Sequence, residues 1–190
     1  MDLFVAIRER RSCRNYLPDP VSDETIEKLI EAATWAPSPA NNQPWEFLAI
    51  TNQDVKDKIF NEAEYRKKIL FEKSGWKWLN RYEVTFLKEV PLIIAVLGDP
   101  KKSGADMFLT DGGMGYQHAC SAAIQNLLLT AHALGLAGLW FTLFEKDPIR
   151  EILNVGPEKD PIALIPVGRP GAEPVPTPRK DLKEKIRYIR

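Results

Sequence analysis

The chain has 190 residues, 44% of them hydrophobic and 27% charged, which excludes disordered, collagen-like and disulfide-scaffold classes. At this length roughly 70% of the unfolded surface is buried on folding, so one globular domain is expected to stand without staples or structural metal. Its 26 lysines and arginines balance 26 aspartates and glutamates, so nothing draws the whole molecule toward nucleic acid or anionic lipid and any anion site must be local.

The opening MDLFVAIRER carries an acid at position 2 and meets arginine too soon for the apolar region of a secretory leader. Cys13 and Cys120 lack the paired spacing of zinc or dithiol sites. A cytoplasmic protein with free thiols is expected. Asp2 predicts the N-cap of a short helix bearing Leu3, Phe4, Ala6 and Ile7 on one side and ending in RERRSCR. Ser22 predicts the cap of a second helix, with Asp23 and Glu24 in its first turn, a stripe of Ile26, Leu29, Ile30 and Ala33, and a stop at Pro37 and Pro39. Residues 45–51, WEFLAIT, read as a strand. After Asn52 and Gln53 comes a charged, solvated helical stretch from residue 54 to about 89. Within it Trp76 and Trp78 suggest a lid, a partner contact or core packing.

LIIAVLG, residues 92–98, predicts a central strand covered on both faces. Residues 112–144 hold no charged side chain and are long enough to cross a bilayer. Gln117, His118, Gln125, Asn126, Thr130 and His132 favour instead a buried central helix from about Gly115 to Leu134, closed by Gly135. LWFTL, residues 139–143, reads as a strand. Asp147 predicts a cap for a short helix with Pro148 at its first position, and IALIPVG, residues 162–168, a further strand. Residues 171–178 hold three prolines, and 179–190 six bases against two acids, as in a tail running over a surface. Together these predict one α+β domain over 1–190. The uncharged helix is too apolar for one chain to cover, so a two-fold dimer that receives the tail on its neighbour is expected.

Two segments offer chemistry. Arg10, Arg11, Ser12, Cys13 and Arg14 present three guanidiniums and a hydroxyl, which suits a phosphate, a nucleic-acid patch or merely a solvated basic turn. PSPANNQPW, residues 37–45, displays Ser38, Asn41, Asn42 and Gln43 on a proline-stiffened turn. Its carboxamides match the edge of a heterocycle, or cap the neighbouring helix and strand. DGGMG at 111–115 lacks the spacing of a dinucleotide fingerprint. His118, Cys120 and His132 lack zinc spacing and read as helix core, so no metal is expected. Cys13 lies among arginines, which could depress a thiolate pKa, but no redox role is expected of it.

RRSxR followed by PSxxNxQPW, then Asp111, SAAIQNLLLTAHALGLAGLW and IPVGR, resembles the FMN-dependent nitroreductase family over nearly the whole chain. The resemblance implies a central mixed or antiparallel sheet flanked by helices, a long buried helix, a lid at about 54–90, and a tail at 171–190 embracing a homodimer partner. It implies FMN at the subunit interface, touched by both chains. Arg10, Ser12 and Arg14 match the positions for phosphate, ribityl chain and pyrimidine edge, with Arg11 contributing main chain. Pro37, Ser38 and Asn41 match the loop that meets the flavin. Phe141, Thr142 and Leu143, preceded by Trp140, match the segment aiming N–H groups at N5 and O4, although Leu143 stands where glycine is common. Gly168 and Arg169 match the terminal phosphate contact. The implied activity is hydride uptake from NADH or NADPH and ping-pong transfer to nitroaromatics, quinones or related aromatic acceptors, with no catalytic side chain. Reduction of enones, flavin or halogenated phenols shares the scaffold. A non-catalytic module binding nucleic acid or protein is the reading from another class.

Overall fold

In the computed structural model, which describes residues 1–110, 112–173 and 175–190, the apolar run at 92–98 is a strand covered on both sides. It is β2 (Leu92–Gly98), and it lies between β1 (Trp45–Ile50) and β4 (Asp160–Gly168), with β3 (Ala137–Gly138) beyond β4. All three pairings are antiparallel. Alternate side chains serve opposite layers. Leu92, Ile94 and Val96 join Ala163, Ile165 and Val167 beneath α2 (Asp23–Thr34) and α6 (Gly115–Ala133). Ile93, Ala95 and Leu164 face α3 (Gln53–Ser74), α5 (Phe86–Glu89) and α7 (Lys146–Leu153). Each fully buried aliphatic side chain contributes roughly 1.5–3 kcal/mol, so this two-sided burial accounts for the unbroken apolar sequence.

The caps follow the sequence at the start of the chain. Asp2 accepts from the N–H groups of Phe4 and Val5 at α1 (Leu3–Glu9), and Ser22 accepts from Thr25 at α2. Three expectations change. The stretch at 54–89 is three helices, because Gly75 adopts φ 67° and ends α3 before α4 (Lys77–Arg81) and α5. Much of its second half is core: Leu79, Val84, Phe86, Leu87 and Val90 are buried. LWFTL is no continuous strand. Phe141 exchanges both backbone bonds with Leu164, but at the preceding bonded pair Leu139 donates to Pro166, which has no N–H to return. Finally, α7 begins one residue early, so Asp147 sits in its first turn and Glu145 at the cap, without a side-chain capping bond.

Along α6 one side is buried, from Tyr116 and Cys120 to Leu127 and Ala131, whereas Gln117, Ala122, Leu129 and His132 on the other are only part-buried within one chain. The helix is therefore not wrapped on all sides by its own chain. Burial pushes the Cys120 thiol up to about 12, as befits an inert core residue. Asp106 caps α6 by accepting from Met114 and Gly115 N–H groups at 3.0 and 2.7 Å. Asp111, singled out in the sequence, lies outside the described residues, as does Pro174 of the tail. Among the described residues no helix is long and apolar enough to cross a membrane.

Candidate functional site

The arginine-rich turn leaves the end of α1 and is stitched to the far end of the sheet. Ser12 bridges Gly138, the Cys13 N–H donates to Gly138 O at 3.2 Å, and Leu17 donates to Arg169 O at 2.9 Å. Tyr16 Oη donates to Cys13 O at 2.7 Å, and the Gly171 N–H returns to Asn15 O at 2.9 Å. With its backbone fixed, the turn projects Arg10, Ser12 and Arg14 into a cavity of about 640 Å³ closed by tail residues including Val175 and Arg179. Glu173 also lines this cavity, but none of the guanidiniums there makes an ion pair among the described residues, and Arg10 is lowered from the ordinary arginine value by burial and by the charges of Arg11 and Arg179. An anion in this cavity would relieve that repulsion.

Arg11 behaves differently. Its Nη1 donates to the carbonyls of Arg8 and Arg10, capping α1, and its buried Nε has no partner among the described residues. At Cys13 burial is the dominant influence and pushes the thiol up, overriding the neighbouring Arg14, so a reactive thiolate is not formed there.

A second cavity, of about 260 Å³, adjoins the first through Arg14 and is walled by Trp78, Tyr82, Trp140, Phe141, Thr142 and Leu143. The structure thus brings Arg10, Ser12, Arg14 and the 140–143 segment together. The N–H groups of Thr142 and Leu143 make no hydrogen bond among the described residues and remain as donors beside this cavity. Gly168 ends β4 against Pro91 and Tyr16, while the exposed Arg169 side chain lies 3.9 Å from Asp19 and lines neither cavity.

The proline turn lies elsewhere. It feeds β1 at Trp45, which pairs with Gly98, which pairs with Asp160 at the start of β4; the arginine turn adjoins Gly168 at that strand's end. At about 3.3 Å per residue the two turns are roughly 25 Å apart along the sheet. Within one chain they do not share a ligand. Pro37 and Ser38 line a separate cavity of about 280 Å³ with His118 and Ala122 of α6, and Asn41 another with Trp35 and Gln43. Ala40, Asn41 and Gln43 all have positive φ, 48°, 55° and 45°. Pro39 wedges the turn against α6, where a Cβ on Gly115 would stand 2.9 Å from Pro39 Cγ and 2.2 Å from Ser103 O. Ser38 Oγ accepts from the Gln43 N–H at 3.1 Å.

Tyr82 and Arg179, which line these cavities, carry no local signal in the sequence: Tyr82 is a lone tyrosine near the two tryptophans, and Arg179 is one base among the tail's six.

An antiparallel four-stranded sheet between two helical layers, with an arginine-rich cavity opening into an aromatic one, defines an α+β protein with a candidate small-molecule site. Residues 7–169 match the nitroreductase family model, and the chain belongs to the nitroreductase family. It is 29% identical over 178 residues to a protein of Methanothermobacter thermautotrophicus named as an NADH dehydrogenase/NAD(P)H nitroreductase, covering 92% of this chain and 80% of that one. It is 31% identical over 194 residues to iodotyrosine deiodinase of Danio rerio, covering 95% of this chain but 65% of the deiodinase. A crystal structure of a Desulfovibrio desulfuricans protein described as a nitroreductase, in complex with FMN, superposes with a TM-score of 0.79 at 28% identity, covering 100% of this chain and 98% of that one.

Proposed function

We propose that the protein is an FMN-dependent oxidoreductase that takes electrons from NADH or NADPH and delivers them to nitroaromatics, quinones or related aromatic acceptors. The observation that carries this reading is Arg14, whose side chain joins a guanidinium-rich cavity to one walled by aromatic rings and free backbone N–H groups. FMN, when bound, supplies the two-electron chemistry. The chain's own residues bind and orient. Arg10 and Ser12 hold the phosphate and ribityl end, Arg11 fixes the turn by its main chain and its cap on α1, and Arg14 offers positive charge to the pyrimidine edge. The N–H groups of Thr142 and Leu143 hold the opposite edge, with Trp140 and Phe141 setting their backbone. Gly168 and Arg169, which the family resemblance assigns to the phosphate, line neither cavity and are given no part in this site.

Pro37, Ser38 and Asn41 reach the same flavin only from a second chain, because the sheet separates the two turns in one chain. Hence the active form is a homodimer with FMN at its interface, the tail closing its own chain's arginine cavity as far as Arg179 and lying on the partner beyond it, and the 54–90 segment facing substrate. The deiodinase relative favours a second reading, reductive dehalogenation of halogenated phenols on the same site. Both predict a yellow protein whose visible flavin band bleaches anaerobically with NADH or NADPH, and an acceptor panel then ranks nitroaromatics, quinones and halophenols. A colourless protein with salt-sensitive DNA affinity would replace the enzyme with a binding module.

A further inference from the structure

The geometry points to Tyr82 as the positioning residue of Arg14, coupling the orientation of that guanidinium to the helix α4. This role rests on the proposed flavin site. Arg14 Nε donates to Tyr82 Oη at 3.4 Å, and its guanidinium carbon stands 5.3 Å from the centroid of the Tyr82 ring. Among the described residues neither terminal nitrogen of Arg14 has a hydrogen-bond partner. Tyr82 therefore engages the stem side of the planar fork and leaves the two Nη groups as a bidentate donor pair. A carboxylate in its place would orient the fork equally well but cancel its charge. A neutral phenol orients without cancelling it, which suits a guanidinium whose task is to meet developing negative charge.

Tyr82 is itself held. It follows α4 directly as its C-cap, its carbonyl accepts from Lys67 Nζ of α3 at 3.2 Å, and its ring meets Trp78 edge-on at 5.8 Å, with Trp76 a further 6.2 Å along. Arg14 comes from the opposite direction, on the turn fixed to Gly138. The Arg14–Tyr82 contact thus ties the N-terminal turn to the aromatic wall over the second cavity, across 68 positions of sequence.

A double-mutant cycle on the FMN-loaded protein tests it, using Arg14→Ala, Tyr82→Phe, Tyr82→Ala and the combinations. Readouts are the dissociation constants of oxidised and reduced FMN and the rate of trypsin cleavage at Lys77 and Arg81. Tyr82→Phe, which keeps the ring, is expected to weaken oxidised FMN about threefold and Tyr82→Ala about tenfold, with a larger loss for reduced FMN. Cleavage in α4 should rise in parallel, and Tyr82→Phe should have no further effect on either readout once Arg14 is alanine, whereas Tyr82→Ala keeps a residual effect because it also removes cavity wall and the Trp78 contact. Tyr82→Phe losses that add to that of Arg14→Ala, or that fall equally on oxidised and reduced FMN, would overturn the assignment while leaving the flavin reading intact. A wild-type protein that takes up no FMN would overturn the flavin reading itself.

Discussion

Arg10 and Arg11 are neighbours of identical chemistry with opposite employment. Arg11 turns back to the carbonyls ending α1, while Arg10 faces the cavity without a carboxylate partner among the described residues. Removing Arg10 should therefore cost anion binding rather than stability. Arg10→Gln is expected to weaken FMN roughly ten- to hundredfold and flatten the salt dependence of binding, read by fluorescence titration, with an unchanged denaturation midpoint. The sequence made the donor set legible, because three guanidiniums and a hydroxyl within five positions are visible without a fold. Which guanidinium points where was not, since it depends on the carbonyl geometry of a helix end. Nor was Tyr82, because its contact with Arg14 exists only after the chain has crossed the sheet. For Cys13 the neighbouring arginines pull the pKa down, but desolvation outweighs them, in keeping with a thiol given no redox role.

Secondary elements were readable wherever a local cause controls them. The caps at Asp2 and Ser22, and the two-sided burial of β2, follow from side chains within a few positions. LWFTL failed because the missing donor belongs to Pro166, on another strand. The stretch at 54–89 failed because a charged helix with one glycine does not announce that its second half becomes core. Two expectations belong at this scale. Gly115→Ala forces a Cβ into Ser103 O and Pro39, joining α6 to the proline turn, and should destabilise by about 2–3 kcal/mol in denaturant melts.

Asp160, whose side chain is 12% exposed, ties β4 to α6 and α7 by accepting from Tyr116 Oη at 2.7 Å and pairing with Lys146 and Arg150. Burial pushes its carboxyl up, but the hydrogen bonds of Lys146 and Tyr116 and the charges of Lys146 and Arg150 outweigh it, so its pKa is lowered. A lowered folded-state pKa means its contribution is present above the usual carboxylate range. That contribution disappears as acid carries the pH down through the folded value. Asp160→Asn should lose about 2 kcal/mol at neutral pH and less in acid, seen as a shallower acid limb in denaturation midpoints.

For the whole molecule, the conspicuous fact is apolar surface that one chain leaves bare. Phe4 on α1 is 68% exposed, Phe108 85% and Ile189 in the tail 93%, alongside the half-covered side of α6. Patches of this kind mark association surfaces. Sedimentation should give twice the chain's mass, and deleting 172–190 should shift the protein toward monomer and weaken FMN at least about tenfold, since the tail closes the arginine cavity. Sequence composition hinted at a dimer through the uncharged helix. It did not show that the arginine turn and the proline turn stand at opposite ends of one sheet, which is a property of strand order.

The left-handed residues of the proline turn set a limit on how hardy such a protein can become. Ala40 in that conformation stores roughly 1 kcal/mol that glycine would release. Ala40→Gly is accordingly expected to raise the thermal midpoint by about 2 °C while slackening the turn that would meet the proposed flavin from a second subunit, so that cofactor retention falls as heat resistance improves.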